Sequence, residues 1–164
     1  MKTTQLALPL ILFIFLLCPH HVHAQDLSEE SGTILSSAEA MFKSMQKKDY
    51  VAIWQSLSRK SQETIVQDTY KSVKPASPAH TEESVGRDFS SGGPLAIAYW
   101  NAFLNKFDPA MALEQSRWQM HTVNADNAEI IILYKKSQSP AMLKMFKEEG
   151  AWKVGLTETF WSRK

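Results

Sequence analysis

The sequence predicts an α+β domain with N-terminal helices packed on a curved, antiparallel, four-stranded C-terminal sheet. Three observations carry that expectation. Apolar residues recur at helical spacing as far as Leu104, the period drops to two after Gln115, and the connections in the second region are too short for parallel crossovers.

Residues 1–24 read as a cleaved export signal. Lys2 is followed by an apolar run from Leu6 to Cys18, broken only by Pro9, and Val22 and Ala24 stand where an export peptidase reads small side chains. The run is shorter than the roughly 20 residues a bilayer demands, so no stable membrane span is expected. Cys18 sits where a lipid-accepting cysteine would, but Leu17 replaces the small residue that normally precedes one, so lipid anchoring is the lesser reading. Cys18, His20, His21 and His23 resemble a soft-metal cluster. All four leave with the signal, and residues 25–164 are expected as one periplasmic or secreted domain without metal or cofactor.

The first predicted helix gathers Ile34, Leu35, Ala38, Met41, Phe42 and Met45 on one face. Asp49 caps a second, short helix with Tyr50, Ile53, Trp54 and Leu57, and Ser58 starts a third that Pro75 stops. A bare loop over residues 74–94 would be unusually long, so a helix is placed from Thr81 to Phe89, ended by "SSGG". Pro94 opens a stronger helix with Ala96, Tyr99, Trp100, Phe103 and Leu104 inside, and "DPAMAL" repeats the cap-then-proline device. Trp118, Met120 and Thr122 then alternate with Arg117, Gln119 and His121 in a first strand. Residues 129–135, 141–147 and 152–160 complete a meander whose turns are "NADN", "SQSP" and "EEG".

Residues 25–164 hold 17 basic side chains, the chain's 18 less Lys2, against 17 acidic ones. That balance argues against nucleic acid, because phosphate binding needs a surplus of Lys and Arg. Lys43, Lys47, Lys48, Lys135, Lys136, Lys144 and Lys147 read as a solvated face. No cysteine remains after Cys18, so burial alone must stabilise the domain. No His or carboxylate pair has metal-ligand spacing within a predicted helix, and no phosphate loop or nucleophile elbow is present.

The order of "KKDYVAIWQSLS", "YWNAFL" and "MFKEEGAWKVGL" resembles the NTF2-like, cystatin-like α+β superfamily, most closely its secreted single-domain members of unassigned role. "GAWKV", a glycine turn followed by Trp and basic/β-branched alternation, is the most specific piece. The chain departs from many relatives over residues 59–94, which read as helical instead of as a strand pair. The resemblance implies a cone whose open end holds a pocket, here lined by Tyr50, Trp54, Tyr99, Trp100, Trp118 and Met120. It also implies pairing of two copies through the outer sheet face. Ketosteroid-isomerase-like and polyketide-cyclase-like members work in that pocket with an Asp or His base and a Tyr or Asp donor, roles for which Asp88, Tyr99 and His121 are the candidates here.

Each candidate also has a structural reading, and that reading is favoured. Alternation turns His121 outward beside Arg117 and Gln119, and His80 lies in a solvated Pro/Ser segment. Asp88 caps or pairs with Arg87, while Tyr99 packs its ring. Trp54, Trp100, Trp118 and Trp152 belong to the core, and Trp161 follows the last strand at an exposed terminus. The expectation is therefore a non-catalytic exported domain binding a small apolar ligand or a protein partner. An isomerase- or cyclase-like enzyme, or an accessory piece of an envelope assembly, are the alternatives.

Overall fold

A computed structural model describes residues 22–161, with side chains from residue 28 onward. The predicted leader as far as residue 21, including Cys18, His20 and His21, lies outside the described residues. Helix α1 (Val22–Lys47) begins well before its apolar stripe and buries Ile34, Ala38, Met41, Phe42 and Met45. Asp49 caps α2 (Tyr50–Ser56), its carboxylate accepting the Ala52 N–H at 3.0 Å, and Ser58 caps α3 (Arg59–Val73) through the Ser61 N–H at 3.1 Å. Thr81 and Ser84 form a reciprocal capping box on α4 (Glu82–Ser91), which Gly92 closes in the left-handed region at φ 67°. Pro94 occupies the first turn of α5 (Pro94–Leu104), and Asp108 caps α6 (Pro109–Glu114).

The four strands form one open antiparallel sheet in sequence order: β1 (Ser116–Val123), β2 (Asn127–Tyr134), β3 (Ala141–Glu148) and β4 (Ala151–Gly155). Alternation turns Ala128, Ile130, Ile132, Leu143, Met145, Trp152 and Val154 toward the helices, and all are buried. Ile131, Leu133 and Met142 face the other way. Glu149 and Gly150 both take positive φ, which gives the β3–β4 hairpin a turn that matches strand twist. Against the inner sheet face α1 contributes its stripe, contacting β4 and β1, while α2 and α6 pack on its flanks.

Two expectations need correction. The fourth strand does not run from 152 to 160: it ends at Gly155, opposite Lys144, and Leu156–Phe160 form a short helix, α7. Alternation alone carries the strand pattern through Leu156. What ends it is competition for polar groups, since Thr157 N–H donates to Ser61 Oγ at 3.0 Å and Thr159 Oγ1 donates back to the Gly155 carbonyl at 2.6 Å. Trp161 is likewise not an exposed terminal residue. It is half-buried, stacked on Phe103 with ring centroids 6.3 Å apart.

Candidate ligand cleft

The start of β1, the end of β2 and the start of β3 meet at one end of the sheet, where the chain between α5 and α6 crosses above them. Between these parts lies a cleft of about 430 Å³, whose apolar walls are Phe42, Leu104, Phe107, Met111, Ala112, Ile132, Ala141 and Phe160. Asn105, Lys106, Asp108, Ser116, Tyr134, Ser137 and Ser139 supply its polar walls. Local sequence explains the construction. Phe42 comes from the buried stripe of α1, and the Asp108–Pro109 start of α6 turns Met111 and Ala112 over the sheet. Met111 and Phe160 keep 39% and 42% of their surface in water, two of the three large apolar side chains so exposed among the described residues.

A second hollow of about 470 Å³, lined by Phe103, Lys106, Phe107, Phe160 and Trp161, shares Lys106, Phe107 and Phe160 with the first. The two hollows adjoin at those three residues, and together they are called the trough. Its rings support one another: Phe107 lies 5.8 Å from Phe42, 5.4 Å from Phe103 and 6.3 Å from Phe160, and Phe42 meets Trp118 edge-on at 5.2 Å. Among the described residues Lys106 has no carboxylate within ion-pair distance. Asp108, on the same rim, turns one oxygen back to accept the Ala110 N–H at 2.9 Å.

α7 places Phe160 and Trp161, and a polar clamp places α7. The Glu158 carboxylate accepts from Ser58 Oγ at 2.7 Å, Ser61 Oγ at 2.5 Å and Thr157 Oγ1 at 2.9 Å. Ser58, Ser61 and Thr157 are buried, so these hydroxyls gain partners that they would otherwise lack. Partial burial works to raise the Glu158 pKa, but the hydroxyl donors together outweigh it and hold the carboxyl below its ordinary value.

The residues singled out from sequence are dispersed. Asp88 accepts the Ala96 N–H at 2.9 Å, bracing the first turns of α5, and lies so close over Gly93 that a Cβ there would strike its carboxylate. Tyr99 packs edge-on between Phe89 and Trp100; burial first, then the charge of Asp68, pushes its hydroxyl well above the usual tyrosine range. His121 is the extra residue of a β-bulge between Met120 and Thr122, exposed on β1, and His80 lies in the turn before α4. No hydrogen bond joins Asp88, Tyr99 and His121.

The six aromatic and Met positions expected around a pocket lie elsewhere than on the cleft walls. Tyr50 Oη donates to Asn101 Oδ1 at 2.7 Å, and Trp54 packs on Phe89 at 5.0 Å. Trp100 is fully buried, its Nε1 without an acceptor among the described residues. Trp118 Nε1 donates to the Ala112 carbonyl at 2.7 Å, one layer behind Phe42, and Met120 packs against the core. Sequence reasoning missed Phe107 and Phe160. Phe107 carries a usable signal, an aromatic immediately before a capped Asp-Pro turn, whereas Phe160 falls within the expected fourth strand.

Among the described residues no group of His, Cys, Asp or Glu could hold a metal ion, and no helix is long and apolar enough to cross a membrane. The chain matches no protein-family model, no curated protein and no solved structure at a significant level.

Proposed function

We propose that this protein is a non-catalytic binding domain whose trough, between α6, α7 and the end of the sheet, receives a small apolar ligand. One observation carries the reading: eight of the fifteen residues that wall the cleft of about 430 Å³ are apolar, three of them Phe, and the seven polar ones include only two charged side chains, Lys106 and Asp108. Its titratable side chains, Lys106, Asp108 and Tyr134, share no hydrogen bond with one another, so the walls offer a ligand grip and orientation more than proton transfer. The succession of helices and a four-stranded meander also supports an NTF2-like ancestry, in which a recess between helices and sheet is the customary binding place.

The test is a titration with N-phenyl-1-naphthylamine, an uncharged fluorescent probe. Saturable binding of one probe per chain is expected, and Ser139→Trp, which places an indole at the mouth from an exposed loop position, should abolish it while leaving the thermal midpoint unchanged. Linear, unsaturable fluorescence in the unaltered protein would remove the reading.

A second reading, pairing of two copies, has its own observation. Ile131, Leu133 and Met142 form an apolar centre on the outer sheet face, beside Arg117, Gln119, Glu129 and Lys144 in the neighbouring register positions. A partner sheet would remove that centre from water.

A further inference from the structure

Resting on the binding reading above, we infer that the trough takes an elongated amphipathic anion: one alkyl chain ending in a carboxylate, its head at Lys106 and its chain along Phe107 and Ile132. Shape gives the elongation. The first cleft alone carries Phe107, Phe42, Ile132 and Ala141 beside Lys106, apolar wall from three different parts of the fold and more than a single ring covers. Charge gives the head group. Lys106 lines both hollows at an exposed position and has no carboxylate within ion-pair distance among the described residues, while Asp108 directs one oxygen into the cap of α6.

Two of the remaining polar walls are already engaged, and none of the rest carries a positive charge. Ser116 Oγ donates to the Met111 carbonyl at 2.8 Å, and Ser137 Oγ donates to the Ser139 carbonyl at 3.0 Å while accepting the Ser139 N–H at 3.1 Å. A carboxylate driven deep against Phe42 and Ile132 would lose water without gaining a counter-charge. Held at the rim it keeps water on one side and a Lys ammonium on the other, whose methylene stem extends the apolar wall. A cationic amphiphile would meet the same ammonium with the wrong sign.

Tryptophan fluorescence reports occupancy directly, because Trp161 lines the trough. Dodecanoate, dodecanol and dodecyltrimethylammonium, each below its micelle concentration, are titrated into the protein. Dodecanoate should bind more tightly than the other two, and Lys106→Ala should weaken it about tenfold, as for one charge-assisted hydrogen bond at the edge of water, with dodecanol unaffected. Equal affinity for dodecanoate and dodecanol, insensitive to Lys106→Ala, would overturn the anion and leave the apolar site standing. Cosedimentation with phosphatidylglycerol vesicles in place of dodecanoate binding would overturn it in favour of a membrane surface. Failure of the naphthylamine probe and all three amphiphiles would instead remove the binding reading itself.

Discussion

Trp152 shows how one side chain joins packing to polarity. Its ring is buried on the inner face of β4, and its Nε1 donates to Glu30 Oε1 at 2.7 Å, the same oxygen that Lys147 Nζ reaches at 2.9 Å. Those two donors, Lys147 first, hold the Glu30 carboxyl below its ordinary pKa. Lys147 also lies 5.5 Å above the indole, so the three groups from α1, β3 and β4 act as one unit. Trp152→Ala should cost about 3–5 kcal/mol in denaturant unfolding. Trp152→Phe keeps most of the ring burial but loses the indole donor and part of the packed volume, so an intermediate loss of about 1–3 kcal/mol is expected. Equal losses from the two variants would show that the hydrogen bond, not ring burial, holds β4. The burial of Trp152 was legible in "GAWKV", whose alternation marks one face. Its partnership with Glu30 was not, because 122 residues separate the two and only folding brings them together.

At the scale of elements, α7 is the part whose conformation and position depend on one carboxylate. Glu158 takes three hydroxyl donors from the α3 start and from its own turn, and Lys60 and Lys144 border the same recess. Its pKa is lower in the folded chain than in the unfolded one, so the clamp contributes its full stability above the unfolded value. As the pH falls below about 4.5, the ordinary glutamate value, protonation of the unfolded chain begins to erode that contribution, and it is gone once the folded carboxyl is itself protonated. Thermal midpoints measured from pH 7 to pH 3 should therefore fall more steeply for the unaltered protein than for Glu158→Gln. At pH 7 the variant should be about 1–2 kcal/mol less stable, a modest figure because the carboxylate keeps partial contact with water. Parallel curves through acid would mean that other carboxylates control the transition. Since α7 carries Phe160 into the trough, probe affinity should decline with the clamp.

For the whole molecule, most helices pack on the inner face of the sheet, while Ile131, Leu133 and Met142 on the outer face stay partly exposed and one end of the sheet is open to the cleft. Sedimentation at high protein concentration should show a dimer that Ile131→Lys, a charge at the centre of the outer face, returns to monomer; a monomer in the unaltered protein would remove the pairing. Export is tested separately by intact mass of protein recovered from expressing cells. A chain beginning at Gln25 is expected, and an acylated Cys18 would overturn the cleaved leader. Neither result bears on the trough, whose walls all lie between residues 42 and 161.

The element order follows from local rules visible in the sequence: apolar residues at helical spacing, cap residues at Asp49, Ser58 and Asp108, prolines at Pro94 and Pro109, and period-two alternation after Gln115. These are short-range, since a helix face or a cap is decided within a few residues. Tertiary structure alone decided the rest. Leu156–Phe160 coil rather than extend because Ser58 and Ser61, about a hundred positions earlier, offer buried hydroxyls to Thr157 and Glu158. The cleft walls come from α1, the α5–α6 crossing, α6, three strands and α7, and no sequence period records which of these will meet.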